Sequence, residues 1–350
     1  MKILYLYAEV MGYTEATLRE LSAQGAELHI VNWDKKKLTP HQLEQDTRIN
    51  FYLRSAFTQT ELISLAKSIN PDCIVISGWM DYEYLKAAKI LLKKLSVPVV
   101  CCLDSQWNNT VKQNIARLIS KTGILKKFFT HMWVSGTYQF EYARKLNFLK
   151  HEIIFDLYSA DLPLFHNSFY ENEQLKKALY PKKFLYVGRF EPVKNINLLL
   201  DAWDKIKPQR AGWELTLIGD GSMREELELN KDINIRKFLT QSELAKEVKD
   251  SGCFILPSTY EPWGVVLHEF SAAGLPILCS DVCGASSSFV VSGKNGYKFI
   301  SNNKNSLIEK MLKIISLSDL ELNEMSLASY NFSKRISPET SAANLLSILE

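Results

Sequence analysis

At 350 residues, 46% hydrophobic and 23% charged, the chain has the make-up of an ordinary folded protein with no tract of low complexity, and its length favours two domains with a core each. A net formal charge of +3 is too weak to imply nucleic acid as a partner. The longest N-terminal apolar run, Ile3 to Ala8, is too short for a signal-peptide core, and no stretch approaches the roughly 18 to 20 apolar residues of a spanning helix, so a cytoplasmic protein is expected.

In chain order, short β-branched runs predict strands at Lys2 to Tyr7, Glu27 to Trp33, Ile49 to Leu53, Cys73 to Ser77, Val97 to Leu103, His131 to Ser135 and Glu152 to Phe155. Helical patterns fall between them, at Thr14 to Ala23, Gln59 to Ser68, Tyr82 to Leu95, Val111 to Lys121 and Tyr138 to Leu146. The polar stretch Ser159 to Pro181, broken by Asp161-Leu162-Pro163 and His166-Asn167, reads as a helix-poor linker. Alternation resumes with strands at Lys183 to Val187, Trp213 to Ile218, Ile233 to Phe238, Cys253 to Leu256, Ile277 to Cys279 and Tyr297 to Ile300. The helices expected there are Asn195 to Ile206, Ser222 to Leu229, Gln241 to Lys249, Val265 to Ala273, Lys304 to Ser316 and Ser318 to Ser333.

Strand-helix alternation with continuous apolar strands implies parallel sheets covered on both faces. The expected fold class is α/β, two doubly wound domains over residues 1–165 and 166–337, followed by a helix in 338–350 whose one apolar face must pack, with the N-terminal domain as a partner. Ligands of open α/β sheets sit beyond the carboxyl ends of the strands, so two such domains facing one another would share a cleft. Six cysteines and six histidines show no metal-ligand spacing. The cysteines read as buried thiols and the histidines as structural or exposed residues.

Three segments carry chemistry. Gly188-Arg189-Phe190-Glu191-Pro192-Val193-Lys194-Asn195 follows a strand and brings two cations to one loop, which suits a diphosphate as well as it suits an ordinary surface loop. Gly219-Asp220-Gly221-Ser222 is a second strand-to-helix turn, read as structural, with Ser222 as N-cap. In the third, Tyr260 to Pro276, a helix starting near Gly264 would aim free N–H groups at an anion. Glu261 precedes that end. Glu269 stands eight residues later, too far along the helix to touch Glu261, within a run suited to burial, where a carboxylate needs donors such as ribose hydroxyls.

The order of Gly188-Arg189-Phe190 with Lys194-Asn195, Ile218-Gly219-Asp220-Gly221, Pro257-Ser258 with Glu261 through to Glu269, and Gly274-Leu275-Pro276 resembles family 4 of the retaining glycosyltransferases, which belong to the glycosyl transferases group 1 and have the GT-B fold. The resemblance covers roughly residues 183–300. It implies a nucleotide-sugar donor and a glycan or lipid-linked acceptor. Arg189 and Lys194 would hold the donor diphosphate in place of a metal, Glu269 the ribose and Glu261 the sugar ring. The amides of Trp263, Gly264 and Val265 would complete the hold, with the base against Phe238 and Leu239. No metal or cofactor is expected. The first half departs from the family pattern: its first loop holds only Gly12, and Asp104 rather than a histidine follows the central strand, either as a sugar or acceptor contact or as a helix cap.

A dinucleotide-dependent oxidoreductase would require a Gly-x-Gly-x-x-Gly turn after the first strand, which is missing; a decayed sugar-nucleotide binder is the other alternative. Between Lys112 and Lys150, eight bases face one acid, Glu141. Across 112–129 they alternate with apolar residues, a pattern that suits either an anionic membrane surface or a packed helix with a solvated basic face.

Overall fold

In a computed structural model, which describes residues 1–34 and 47–349, the chain divides into two compact units. His41, among the histidines noted above, lies outside the described residues. The first unit comprises Met1–Ser159 with Ile336–Glu350, the second Ala160–Arg335.

Among the described residues the first unit holds seven strands, β1 (Lys2–Tyr7), β2 (Glu27–Asn32), β3 (Ile49–Leu53), β4 (Cys73–Ile76), β5 (Val99–Leu103), β6 (His131–Val134) and β7 (Ile153–Ile154). All pair in parallel, in the order β3-β2-β1-β4-β5-β6-β7. Because side chains alternate across a strand, Leu4, Leu6, Ile74 and Ile76 enter one core layer while Ile3, Tyr5, Cys73 and Val75 enter the other. Burial on both faces is why these strands read as unbroken apolar runs. The terminal helix Pro338–Leu346 belongs to the second of those layers through Ala342 and Leu345, and Thr17 Oγ1 donates to Ser341 Oγ at 3.2 Å.

The second unit repeats the arrangement with β8 (Lys183–Val187), β9 (Glu214–Ile218), β10 (Asn234–Arg236), β11 (Cys253–Leu256), β12 (Ile277–Ser280) and β13 (Gly296–Phe299), in the order β10-β9-β8-β11-β12-β13, again all parallel. Both orders are those of doubly wound sheets, in which the chain reverses direction beside the first strand.

The boundary between the units falls at the start of the expected linker, after Ser159, but that stretch is not helix-poor. Within Ser159 to Pro181 lies a 17-residue helix, Leu162–Ala178. Asp161 caps it through Leu164 N, and Pro163 sits in the first turn, where its missing N–H costs nothing and its fixed φ favours the start. Leu162, Phe165 and Phe169 form the start of a buried face that continues through Asn172 and Lys176, and those polar members hide the apolar period in the sequence. Ser222 is not an N-cap either: its backbone and hydroxyl both bond Glu191, and the helix there is only Arg224–Glu228.

Candidate active site

Strands β8 and β11 are neighbours in the sheet, and they flank the reversal in strand order of the second unit. The loops leaving their carboxyl ends, Gly188 to Asn195 and Pro257 to Gly264, therefore meet at the place where ligands bind such sheets. Lys194 Nζ lies 2.5 Å from Glu261 Oε2, and Ser258 Oγ donates to the same oxygen at 3.1 Å. Thr259 N joins the loops through the Val193 carbonyl at 2.9 Å. Both side chains of the ion pair are largely buried. The Arg189 guanidinium is exposed and makes no hydrogen bond or ion pair among the described residues, while its carbonyl accepts from Tyr186 Oη at 2.9 Å.

The glycine turn after β9 braces the first loop from below. Phe190 N bonds Asp220 O at 2.8 Å, and a Cβ on Gly219 would fall 1.9 Å from the Gly188 carbonyl oxygen. No side chain fits there. Thus Gly219-Asp220-Gly221 shapes the cationic loop, in line with its structural reading.

Gly264 has φ +88°, a left-handed conformation that disfavours any side chain, and its Cβ would also press on the Glu261 side chain at 2.9 Å. It begins the helix Val265–Ala272. The first N–H groups of a helix lack internal partners, and those of Trp263 and Gly264 have none among the described residues. Two buried donors in the same loops, Trp263 Nε1 and the Asn195 side-chain amide, are likewise without a hydrogen bond there. The Glu261 carboxylate thus stands among N–H donors that a polar ligand would satisfy.

Glu269 is buried on the same helix, and its Oε1 accepts from Gln241 Nε2 at 2.8 Å. Burial pushes its carboxyl up to about 7; the Gln241 hydrogen bond opposes this only in part, and the Asp161 charge adds to it. Gln241 escaped the sequence reading. A signal existed in Thr240 and Glu243, whose reciprocal capping box starts the helix Gln241–Glu247 and puts Gln241 in its first position. The exposed Phe238 and half-buried Leu239 occupy the loop that leads into this helix, so the expected base contact and the expected ribose contact are joined through Gln241.

His268, one residue before Glu269, is fully buried and stacked on Phe289. Its Nδ1 accepts from Ala160 N at 3.0 Å, which leaves Nε2–H to donate to Ser333 O at 2.9 Å and fixes the tautomer. Desolvation lowers its pKa to about 3. It is a structural residue that ties the first residue of the second unit to its last turn of helix. His268→Leu is expected to lower unfolding free energy by on the order of 2 kcal/mol, since it orphans one buried N–H and one C=O; urea denaturation measures this, and an unchanged midpoint would refute it.

Gly12 and Asp104 belong to the first unit, after β1 and β5, with β4 between those strands. Gly12 opens the helix Gly12–Ala23. Asp104 does not cap the helix that follows, Val111–Ser120, because Thr110 does so in a capping box with Gln113. Its carboxyl is instead raised by desolvation, with Ser105 Oγ 3.4 Å away.

Residues 169–330 match the family model described as glycosyl transferases group 1. That stretch, a little under half of the chain, is similar to the group 1 glycosyltransferases. Glycogen synthase of Mycobacterium tuberculosis is 30% identical over 123 residues, 33% of this chain and 30% of that protein. The amylovoran biosynthesis glycosyltransferase AmsD of Erwinia amylovora is 25% identical over 233 residues, 64% of this chain and 63% of its own. The structure of Anabaena HepE in complex with UDP and glucose aligns with a TM-score of 0.73 over 99% of this chain and 98% of that one, at 14% identity. The fold is GT-B. The chain spans 28% to 39% of the length of the first curated relatives it matches.

Proposed function

We propose that the protein is a metal-independent retaining glycosyltransferase of family 4. It would move a hexose or related sugar from a nucleoside diphosphate to a hydroxyl of a glycan or lipid-linked acceptor, in the synthesis of a cell-surface polysaccharide or glycoconjugate. The observation that carries this reading is the Lys194–Glu261 pair at the sheet reversal, among unpartnered N–H donors. Arg189 and Lys194 offset the charge that develops on the departing diphosphate, the work a metal does elsewhere. The Trp263, Gly264 and Val265 amides hold phosphate and sugar at the helix N-terminus. Glu269 accepts from the ribose hydroxyls, with the base beside Phe238 and Leu239.

The reaction breaks the bond between the anomeric carbon and the diphosphate oxygen and forms one to the acceptor oxygen on the same face. The acceptor proton passes to the departing phosphate, so no protein nucleophile is needed. Glu261 then positions the sugar and stabilises positive charge at the anomeric carbon. The complexes of HepE with UDP and glucose, and the synthesis of glycans by glycogen synthase and AmsD, favour a nucleotide-sugar donor and a glycan product here. Thermal-shift screening of nucleoside diphosphates tests the reading: one class should raise the melting temperature, because a ligand bound by the native state alone stabilises it. No response to any of them would overturn the proposal.

A further inference from the structure

The basic segment resolves into parts with different fates. Lys126 pairs with Glu152 at 2.7 Å, Arg117 lies over the Trp107 ring, and Leu125 and Phe128 pack against the core of the first unit. These residues are structural. Of the helix Val111–Ser120, Ala116 and Arg117 pack inward, but the opposite face does not. Val111 is 76% exposed, Ile115 52%, Leu118 59% and Ile119 48%, and their spacing of four, three and one residues puts all four on one face. An amphipathic helix normally turns that face to the core. This one turns it to solvent.

Lys112 in the helix, Lys121 at its C-cap and Lys127 in the turn that follows are also exposed and make no ion pair among the described residues. From Ser105 to Phe140 the sequence contains no acid. A second apolar tip lies close by. Met80, 89% exposed, follows Trp79, whose ring is 6.5 Å from Tyr142; Tyr142 is 5.6 Å from Trp107, over which Arg117 of the helix lies. Among the described residues no helix is long and apolar enough to cross a membrane.

We infer that the helix Val111–Ser120 docks the protein on the surface of an anionic lipid bilayer, its aliphatic stripe entering the interface and Lys112, Lys121 and Lys127 reaching the headgroups. Charge complementarity selects this occupant. A second copy meeting the same face would bring lysine against lysine with no acid in the segment to relieve them. The inference deepens the proposed transfer, on which it rests for its purpose: an enzyme held at the bilayer meets an acceptor carried on lipid.

The test is flotation of the full chain with vesicles of phosphatidylcholine containing about 30% phosphatidylglycerol, against phosphatidylcholine alone. Binding should appear with the anionic vesicles only and weaken in high salt. Leu118→Asp with Ile119→Asp, and separately the charge reversal of Lys112, Lys121 and Lys127 to Glu, should each reduce partitioning at least about tenfold. Melting temperature and the response to nucleoside diphosphate should stay as in the wild type, so loss of docking is distinguishable from failure of the donor site. Three results would overturn the inference: no flotation, equal flotation with neutral vesicles or with the charge-reversed protein, or a dimer that the double aspartate variant converts to monomer.

Discussion

Glu261→Gln is expected to reduce turnover by about 10²- to 10³-fold while a nucleoside diphosphate still raises the melting temperature as in the wild type. The size follows from the cost of deleting one charged group that acts chiefly in the transition state. Gln keeps the shape of the side chain and removes its charge, so what is lost is stabilisation of the developing positive charge on the sugar rather than packing. Lys194→Ala should be worse in a different way. It removes a cation proposed to hold the diphosphate and also strips the largely buried Glu261 carboxylate of the cation at its Oε2, so both nucleotide affinity and turnover should fall. In the double variant the two losses should not add, because the residues touch. Steady-state kinetics with a donor, beside thermal shifts with the diphosphate, separates these effects. Wild-type turnover in Glu261→Gln would remove that residue from the reaction.

That the two glutamates keep different partners was readable, because Glu261 precedes the helix start at Gly264 while Glu269 lies more than a turn into the helix. The ion pair was not. Nothing in the sequence says that Lys194 and Glu261, 67 residues apart, share a place; that follows from β8 and β11 becoming neighbours in the sheet. The central strands, such as β1 and β11, were legible because burial on both faces leaves almost no polar residue to blur them, whereas the helix Leu162–Ala178 was missed because its buried face mixes Asn172 and Lys176 with Phe165 and Phe169. The basic segment shows the reverse problem. Its alternation of bases and aliphatics carries no sign of which side faces solvent, and only the packing of Leu125 and Phe128 distinguishes them from Ile115 and Leu118.

Glu269 offers the second large effect, and its environment sets the sign. With its carboxyl raised to about 7, a substantial part of the unliganded protein carries it protonated at neutral pH. Ribose hydroxyls donating to the carboxylate favour the ionised form, so nucleotide binding should release a proton near pH 7 and tighten as pH rises toward that value, levelling off above it. Calorimetry at pH 7 in buffers of different ionisation enthalpy reads this release directly. Glu269→Gln should abolish the carboxyl's share of it and weaken diphosphate binding by about 10- to 100-fold, the loss of one or two hydrogen bonds to a charged acceptor.

The same shift acts on stability. The native state holds the Glu269 proton that the unfolded chain releases near 4.5, so this group's contribution falls as pH rises from about 4.5 through 7, by on the order of 3 kcal/mol. The adjacent His268 works in the opposite sense. Its native pKa of about 3 lies below that of the unfolded chain, so its contribution is lost as pH falls from about 6.5 toward 3. Between about 4.5 and 6.5 the two slopes offset one another. Glu269→Gln should therefore do more than raise stability at pH 8: it should expose the His268 slope, so that between about 4.5 and 6.5 the variant gains more stability with rising pH than the wild type, in which these two groups cancel. Denaturation midpoints at pH 5, 6.5 and 8 measure both changes, and parallel profiles for the two proteins would mean that Glu269 titrates near its ordinary value and has no proton to release to the nucleotide.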